Sequence, residues 1–145
     1  EGFKAAMVNY PDITVLETQF NDDDANKASA QVNAVVARAP DLAGIFGANL
    51  FSAIGSADGV KAMGKSGEIK VVAFDAPTRI VDDLKSGLVD MAIAQHPAEI
   101  GYMGVMVAFG HVTGNPVPVS VGTGFTVMTA DNIDDPDISK YVYSD

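Results

Sequence analysis

Cysteine and tryptophan are both absent from this chain of 145 residues. Without cysteine there are no disulfides, no thiolate nucleophile and no thiolate-bound zinc, and either a cytosolic or a periplasmic home is compatible. Positive charge is scarce: nine lysines and arginines face nineteen acids, for a formal net charge of -10 and a pI near 4.3. That field repels phosphate backbones, so no nucleic-acid partner is expected. No basic amphipathic stretch marks a membrane surface. The longest uncharged apolar stretch, IGYMGVMVAFGHVTG, is too short and too glycine-rich to span a bilayer. There are two histidines, and neither His96 nor His111 has a partner at metal-ligand spacing. No metal and no cofactor are expected.

What is present is a globular composition, 48% hydrophobic and 19% charged, in a length that suits one ordinary domain. Helical and strand-like segments alternate along it. EGFKAAMVNY has helical spacing (Phe3, Ala6, Met7, Tyr10), and its abrupt start predicts a piece of a longer protein. ITVLETQ (13–19) predicts a short strand. NDDDANKASAQVNAVVARAP predicts a helix with Ala25, Ala28, Val32, Val35 and Ala39 on one face, stopped by Pro40. LAGIFG predicts a strand, and LFSAIGSADGVKAMG a helix with Ile54, Ala57 and Val60 on one face. EIKVVAFD and LVDMAIAQ predict strands on either side of the helix TRIVDDLKSG. PAEIGYMGVMVAFGHVTG predicts a helix with Pro97 in its first turn and Ile100, Met103 and Val107 inward. Strands spaced by single helices imply a three-layer αβα fold with a mostly parallel sheet. From Pro116 the texture becomes extended chain broken by Gly122 and Gly124, with a hinge somewhere in 117–129, and then an acidic tail.

GVKAMGKS (59–66) fits the phosphate-binding loop G-x-x-x-x-G-K-[ST] but sits in the wrong place. That motif works where a strand opens into a helix, with amides aimed at phosphate. Here it closes a helix and leads into a strand, so Gly64 is better placed as a helix C-cap with Lys61 and Lys65 at the negative end. GSADG (55–59) is not a nucleophile elbow, since Ser56 comes one place early. Asp22, Asp23 and Asp24 lack the glycine and distal glutamate of a calcium loop, and helix capping accounts for at least one of them.

The strand ends carry the functional signal. GIFGAN ends on Asn49, VVAFD on Asp75 and MAIAQ on Gln95. Parallel strands bring their carboxyl ends to one edge, where open α/β sheets bind ligands. One aspartate and two amides supply acceptors and donors suited to hydroxyl groups, at about 1.5–3 kcal/mol for each charge-assisted bond. No nucleophile–base pair accompanies them, so the arrangement holds a ligand and is not expected to be an enzyme. Asp75 with Pro77 resembles a response-regulator phosphoacceptor only faintly, since the acidic pair and the lysine of that site are missing.

GIFGANLFSAIGSADGVKAMG followed by IKVVAFDAPTRIVDDLKSGLVDMAIAQHPAEIGYMGV resembles the periplasmic sugar-binding proteins of ABC importers, the ribose-binding-like type I group. The resemblance runs through nearly the whole chain in order and spacing. It implies a monosaccharide or polyol ligand, a membrane permease as partner and a periplasmic location. By position it implies Asn49, Asp75 and Gln95 as ligand residues, with Asp23 and Phe20 as further candidates from the QFNDDD turn. Two positions depart from the family pattern: Leu50 replaces the usual acid after the asparagine, and Ala73 stands where the family has glycine before its aspartate. The implied organisation is a C-terminal ligand-binding lobe over 1–95 lacking its first strand, a crossover helix and hinge over 96–129, and the acidic tail over 130–145. The apolar face of the helix after AQHP (Ile100, Met103, Val107) would then be uncovered, and self-association or pairing with a missing half is expected. The effector lobe of a LacI-type regulator shares the fold and is the alternative.

Overall fold

The computed structural model describes residues 1–143; Ser144 and Asp145, the end of the acidic tail, lie outside the described residues. The elements in chain order are α1 (Gly2–Met7), α2 (Ala25–Arg38), β1 (Gly44–Gly47), α3 (Leu50–Ala62), β2 (Lys70–Phe74), α4 (Thr78–Lys85), β3 (Met91–Gln95), α5 (Pro97–Val112), β4 (Phe125–Met128) and α6 (Pro136–Ser139). Helix and strand alternate from α2 to α5, as the apolar periodicity requires. The strands form one sheet in the order β1-β2-β3-β4. The first three are parallel, and β4 returns antiparallel to β3, with Gln95 opposite Phe125.

Side chains that alternate along a strand divide the sheet into two unequal faces. On one face Val71, Ala73, Ala92, Ala94 and Met128 are fully buried, covered by α3, α4 and the α6 region. Ile80, Leu84, Val60 and Val89 complete that core with no exposed surface to speak of, each worth about 1.5–3 kcal/mol of burial. On the other face Val72, Phe74, Met91 and Ile93 are half-buried. Phe3 from α1 stacks on Phe46 there, ring centroids 5.4 Å apart. Small residues let α2 lie close on α3: a Cβ on Gly55 would collide with the Ala25 carbonyl, and one on Gly59 would come within 2.9 Å of Val32.

Helix ends follow the chemistry of their residues. Asp24 caps α2, accepting from the amides of Asn26 at 2.8 Å and Lys27 at 3.1 Å, which is the capping role expected for one of the three acids. At the end of α3 the Lys65 amide reaches the Val60 carbonyl and the Gly64 amide the Lys61 carbonyl, with Gly64 at φ +67°. This is a Schellman close, and it accounts for the phosphate-loop look-alike as a helix terminus.

Four expectations need correction. The segment 13–19 forms no strand: its residues are exposed and pair with no ladder. Its alternation is incomplete, and β1 offers only a four-residue edge. A cavity of about 390 Å³, lined by Phe3, Ile13, Leu16, Val32, Ile45 and Phe46, separates the segment from that edge. Tyr10 lies beyond α1, and the inward face of α2 is Ala28, Val32 and Val36 in place of Val35 and Ala39. In α5 no residue is buried; Met103 and Val107 are half-buried and Ile100 is exposed, because no sheet face lies beneath the helix.

Candidate functional site

Strand β2 runs as an apolar ladder until Asp75, where the backbone turns to φ +76°. Outside glycine this left-handed conformation costs about 1–2 kcal/mol, and aspartate tolerates it better than most residues. The turn is tied down on both sides. The Asp75 amide donates to the Ile93 carbonyl at 3.0 Å, and the buried Ala76 amide donates to the Tyr143 hydroxyl at 3.2 Å. Asp75 does not cap the helix that follows, since the N-cap of α4 is Pro77 and no side chain bonds there. Its carboxylate instead accepts a 2.7 Å hydrogen bond from Gln95 Nε2, at the carboxyl end of the neighbouring strand. Both side chains remain part-exposed.

Asn49, at the end of β1, has two tasks. Its Oδ1 accepts from the Ser52 amide at 2.8 Å and so caps α3. Its Nδ2 donates to Asp23 Oδ1, which ties the turn before α2 to the strand edge. Asp22 and Asp23 themselves sit at positive φ, 53° and 56°. The parallel register sets Gly47 beside Ala73, and Ala73 beside Ala92, so Asn49, Asp75 and Gln95 all leave the sheet at the same end. The structure thus pairs Asp75 with Gln95 and Asn49 with Asp23. Among the described residues no hydrogen bond joins one pair to the other. Phe20 stands apart, 76% exposed, and takes part only through its carbonyl, which accepts from Gln31 Nε2.

Residues not singled out from the sequence support these pairs. Buried Asn21 accepts from Ser52 Oγ at 3.1 Å and donates to the Asp24 carbonyl, bracing the Asp23–Asn49 contact from behind. His96 follows Gln95 directly: Nε2 lies 2.8 Å from Thr126 Oγ1, Nδ1 lies 3.2 Å from Glu99, and the ring stacks on Tyr141 at 3.8 Å. The asparagine carried a weak signal in QFNDDD, but the aromatic contacts carried none, because they join segments far apart in the chain. Among the described residues no group of three or more histidines, cysteines or acids could hold a metal ion. Acceptors and donors at one sheet edge suit the holding of hydroxyl groups.

A parallel α/β lobe with a polar strand-end edge is the architecture of an open-sheet ligand-binding protein. Residues 1–116 match the family described as periplasmic binding protein domain, and the chain belongs to that family. It is 32% identical over 129 residues to a ribose import binding protein, RbsB, of Haemophilus influenzae, covering 89% of this chain and 43% of that protein. It is 29% identical to the D-allose-binding periplasmic protein of Escherichia coli, covering 88% of this chain and 40% of that protein. Among solved structures it resembles an ABC transporter solute-binding protein from Agrobacterium vitis bound with α-D-tagatopyranose, at 62% identity and a TM-score of 0.95. That match covers 99% of this chain and 48% of the other. The chain therefore spans less than half the length of these relatives.

Proposed function

We propose that this chain is one lobe of the solute-binding component of an ABC importer, taking a sugar or polyol at the carboxyl end of its parallel strands. The observation that carries the reading is the Asp75–Gln95 pair: a carboxylate and an amide, tied at 2.7 Å and part-exposed at that edge. The carboxylate keeps lone pairs for ligand hydroxyls, and Gln95 fixes its orientation. Asn49 and Asp23 would border the same cleft, with Phe20 at its exposed rim. The relatives named above are binding proteins of sugar import, which supports binding without chemical conversion, delivery to a membrane permease, and a periplasmic location. The remaining half of a relative's length would supply the opposite wall of the cleft, closing over ligand by a hinge.

The test is calorimetry on the full-length protein with D-tagatose, D-ribose, D-allose and D-fucose. Saturable binding of at least one is expected, weakened at least tenfold in Asp75→Ala. No heat from any of the four, or unchanged affinity in Asp75→Ala, would overturn the reading.

A further inference from the structure

The last described residues of the chain fold back over the carboxyl end of the sheet. Ile133 is buried in the core, Tyr141 stacks on His96, and Tyr143 forms a bridge with Pro77. Two hydrogen bonds join Tyr143 to Ala76: the Ala76 amide donates to the phenol at 3.2 Å, and the Tyr143 amide donates to the Ala76 carbonyl at 3.4 Å. Ala76 and Pro77 have essentially no exposed surface. A buried amide must find an acceptor, and for Ala76 that acceptor is a side chain 67 positions away.

Ala76 is the residue after the left-handed turn at Asp75. With φ fixed at +76° by a bond on each side, the carboxylate meets Gln95 Nε2; with the turn relaxed toward the right-handed or extended regions, its Cα–Cβ vector swings away. The turn is thus held by partners from elsewhere in the fold on both sides: Ile93 on the Asp75 amide and Tyr143 on the Ala76 amide. Tyr141 applies the same restraint one strand over, where the ring of His96 is clamped immediately after Gln95.

We propose that Tyr143 is a positioning residue for the strand-end site: its phenol holds the Ala76 amide and so fixes the left-handed turn that sets the Asp75 carboxylate against Gln95. The proposal rests on the binding reading for its functional consequence, but its structural content can be measured without any sugar. Tyr143→Phe keeps the ring and removes the hydroxyl that accepts from the Ala76 amide.

The first measurement is NMR of the 145-residue chain, following the Gln95 side-chain amide resonances and the amide-to-α-proton coupling of Asp75, which reports φ. Tyr143→Phe is expected to shift both and to speed hydrogen exchange at the Ala76 amide about tenfold, the size of one lost net hydrogen bond. Ile138→Ala, which trims a side chain packed against the core on the same tail, is the control. It is expected to lower the melting temperature while leaving both signals in place. Unmoved Asp75 and Gln95 signals in Tyr143→Phe, or equal movement in Ile138→Ala, would overturn the proposal. The second measurement is sugar affinity in the full-length protein, expected to fall about 3- to 10-fold in Tyr143→Phe. NMR shifts with unchanged affinity would overturn the functional half. Absence of sugar binding in the unmodified protein would instead sink the binding reading and leave the positioning result standing.

Discussion

Gln95 donates its amide across two parallel strands to Asp75 Oδ1 at 2.7 Å, and this bond joins the ends of β2 and β3. An amide there donates to the carboxylate and orients it. Gln95→Glu would set two acids at hydrogen-bond distance, where both cannot ionise without cost. One of the pair is then expected to titrate above the ordinary carboxylate range, read by carbon-detected NMR of the side-chain carboxyls. Sugar affinity should weaken as pH rises through that titration, once both acids are charged. Two ordinary carboxylate titrations would show that the pair is not in contact in solution.

Asn49 combines a helix cap with a bond to Asp23, and the two separate by substitution. Asn49→Ala removes the acceptor for the Ser52 amide and the donor to Asp23. It is expected to cost about 1 kcal/mol in urea unfolding. Asn49→Ser restores the cap but not the reach to Asp23, so stability should return while sugar affinity stays low. Recovery of both together would assign Asn49 a capping role alone.

The meeting of Asp75 and Gln95 at one sheet edge was legible because parallel strands force their carboxyl ends together. Once VVAF and MAIA read as strands, Asp75 and Gln95 had to leave the sheet side by side. The Gly64 helix close was legible for a similar reason, since order along the chain decides whether a glycine loop opens or ends a helix. The segment 13–19 was misread because β-forming residues describe a preference, and a strand also needs an edge within reach. On α5 the spacing put Ile100, Met103 and Val107 inward, while the resemblance left that face uncovered; Ile100 is exposed and the other two are half-buried, since periodicity cannot say whether anything lies beneath a helix. Tyr143 on Ala76 and Tyr141 on His96 are tertiary contacts with no local pattern, so no window of the sequence announces them.

Gly55 lies where α3 meets α2, with the Ala25 carbonyl in the space a Cβ would occupy. Helix propensity alone would favour alanine at this position by about 1 kcal/mol. The collision is with backbone, which cannot swing aside, so overpacking at about 1–3 kcal/mol should win. Gly55→Ala is therefore expected to lower the urea midpoint. A raised midpoint would mean that α2 slides freely on α3.

Asp83 on α4 is buried and pairs with Arg79 Nε at 2.8 Å, while Arg79 Nη2 reaches Asp58 at 2.6 Å. Burial pushes the Asp83 carboxyl above its ordinary value, outweighing the guanidinium, whereas Arg79 is pushed up chiefly by its bond to Asp58. A raised acid binds its proton more tightly in the folded state than in the unfolded one. Its contribution to stability is present below the ordinary value of 3.8 and is lost as pH rises through the folded value. The stability difference between Asp83→Asn and the parent should therefore move in the variant's favour as pH rises from below 3.8 through the folded value, in urea melts. A difference that moves the other way would show that the Arg79 pair outweighs burial.

Helix α5 is the other place where the chain predicts its own behaviour. Tyr102, Val105, Phe109 and Val112 recur at helical spacing on one face, each more than 60% exposed. The helix carries a single acid, Glu99, on a chain whose net charge is -10. Two copies repel one another over most of their surface, but this face is uncharged and apolar, and water gains from its removal. The 145-residue chain is therefore expected to self-associate through α5 at tens of micromolar, about the range for a modest apolar interface. Sedimentation velocity should show a concentration-dependent shift, abolished in Val105→Glu/Phe109→Glu, with the melting temperature of the monomer unchanged because neither side chain is buried. A concentration-independent monomer at all loadings would remove α5 as an association surface, and an unaffected oligomer in the double variant would move the interface elsewhere.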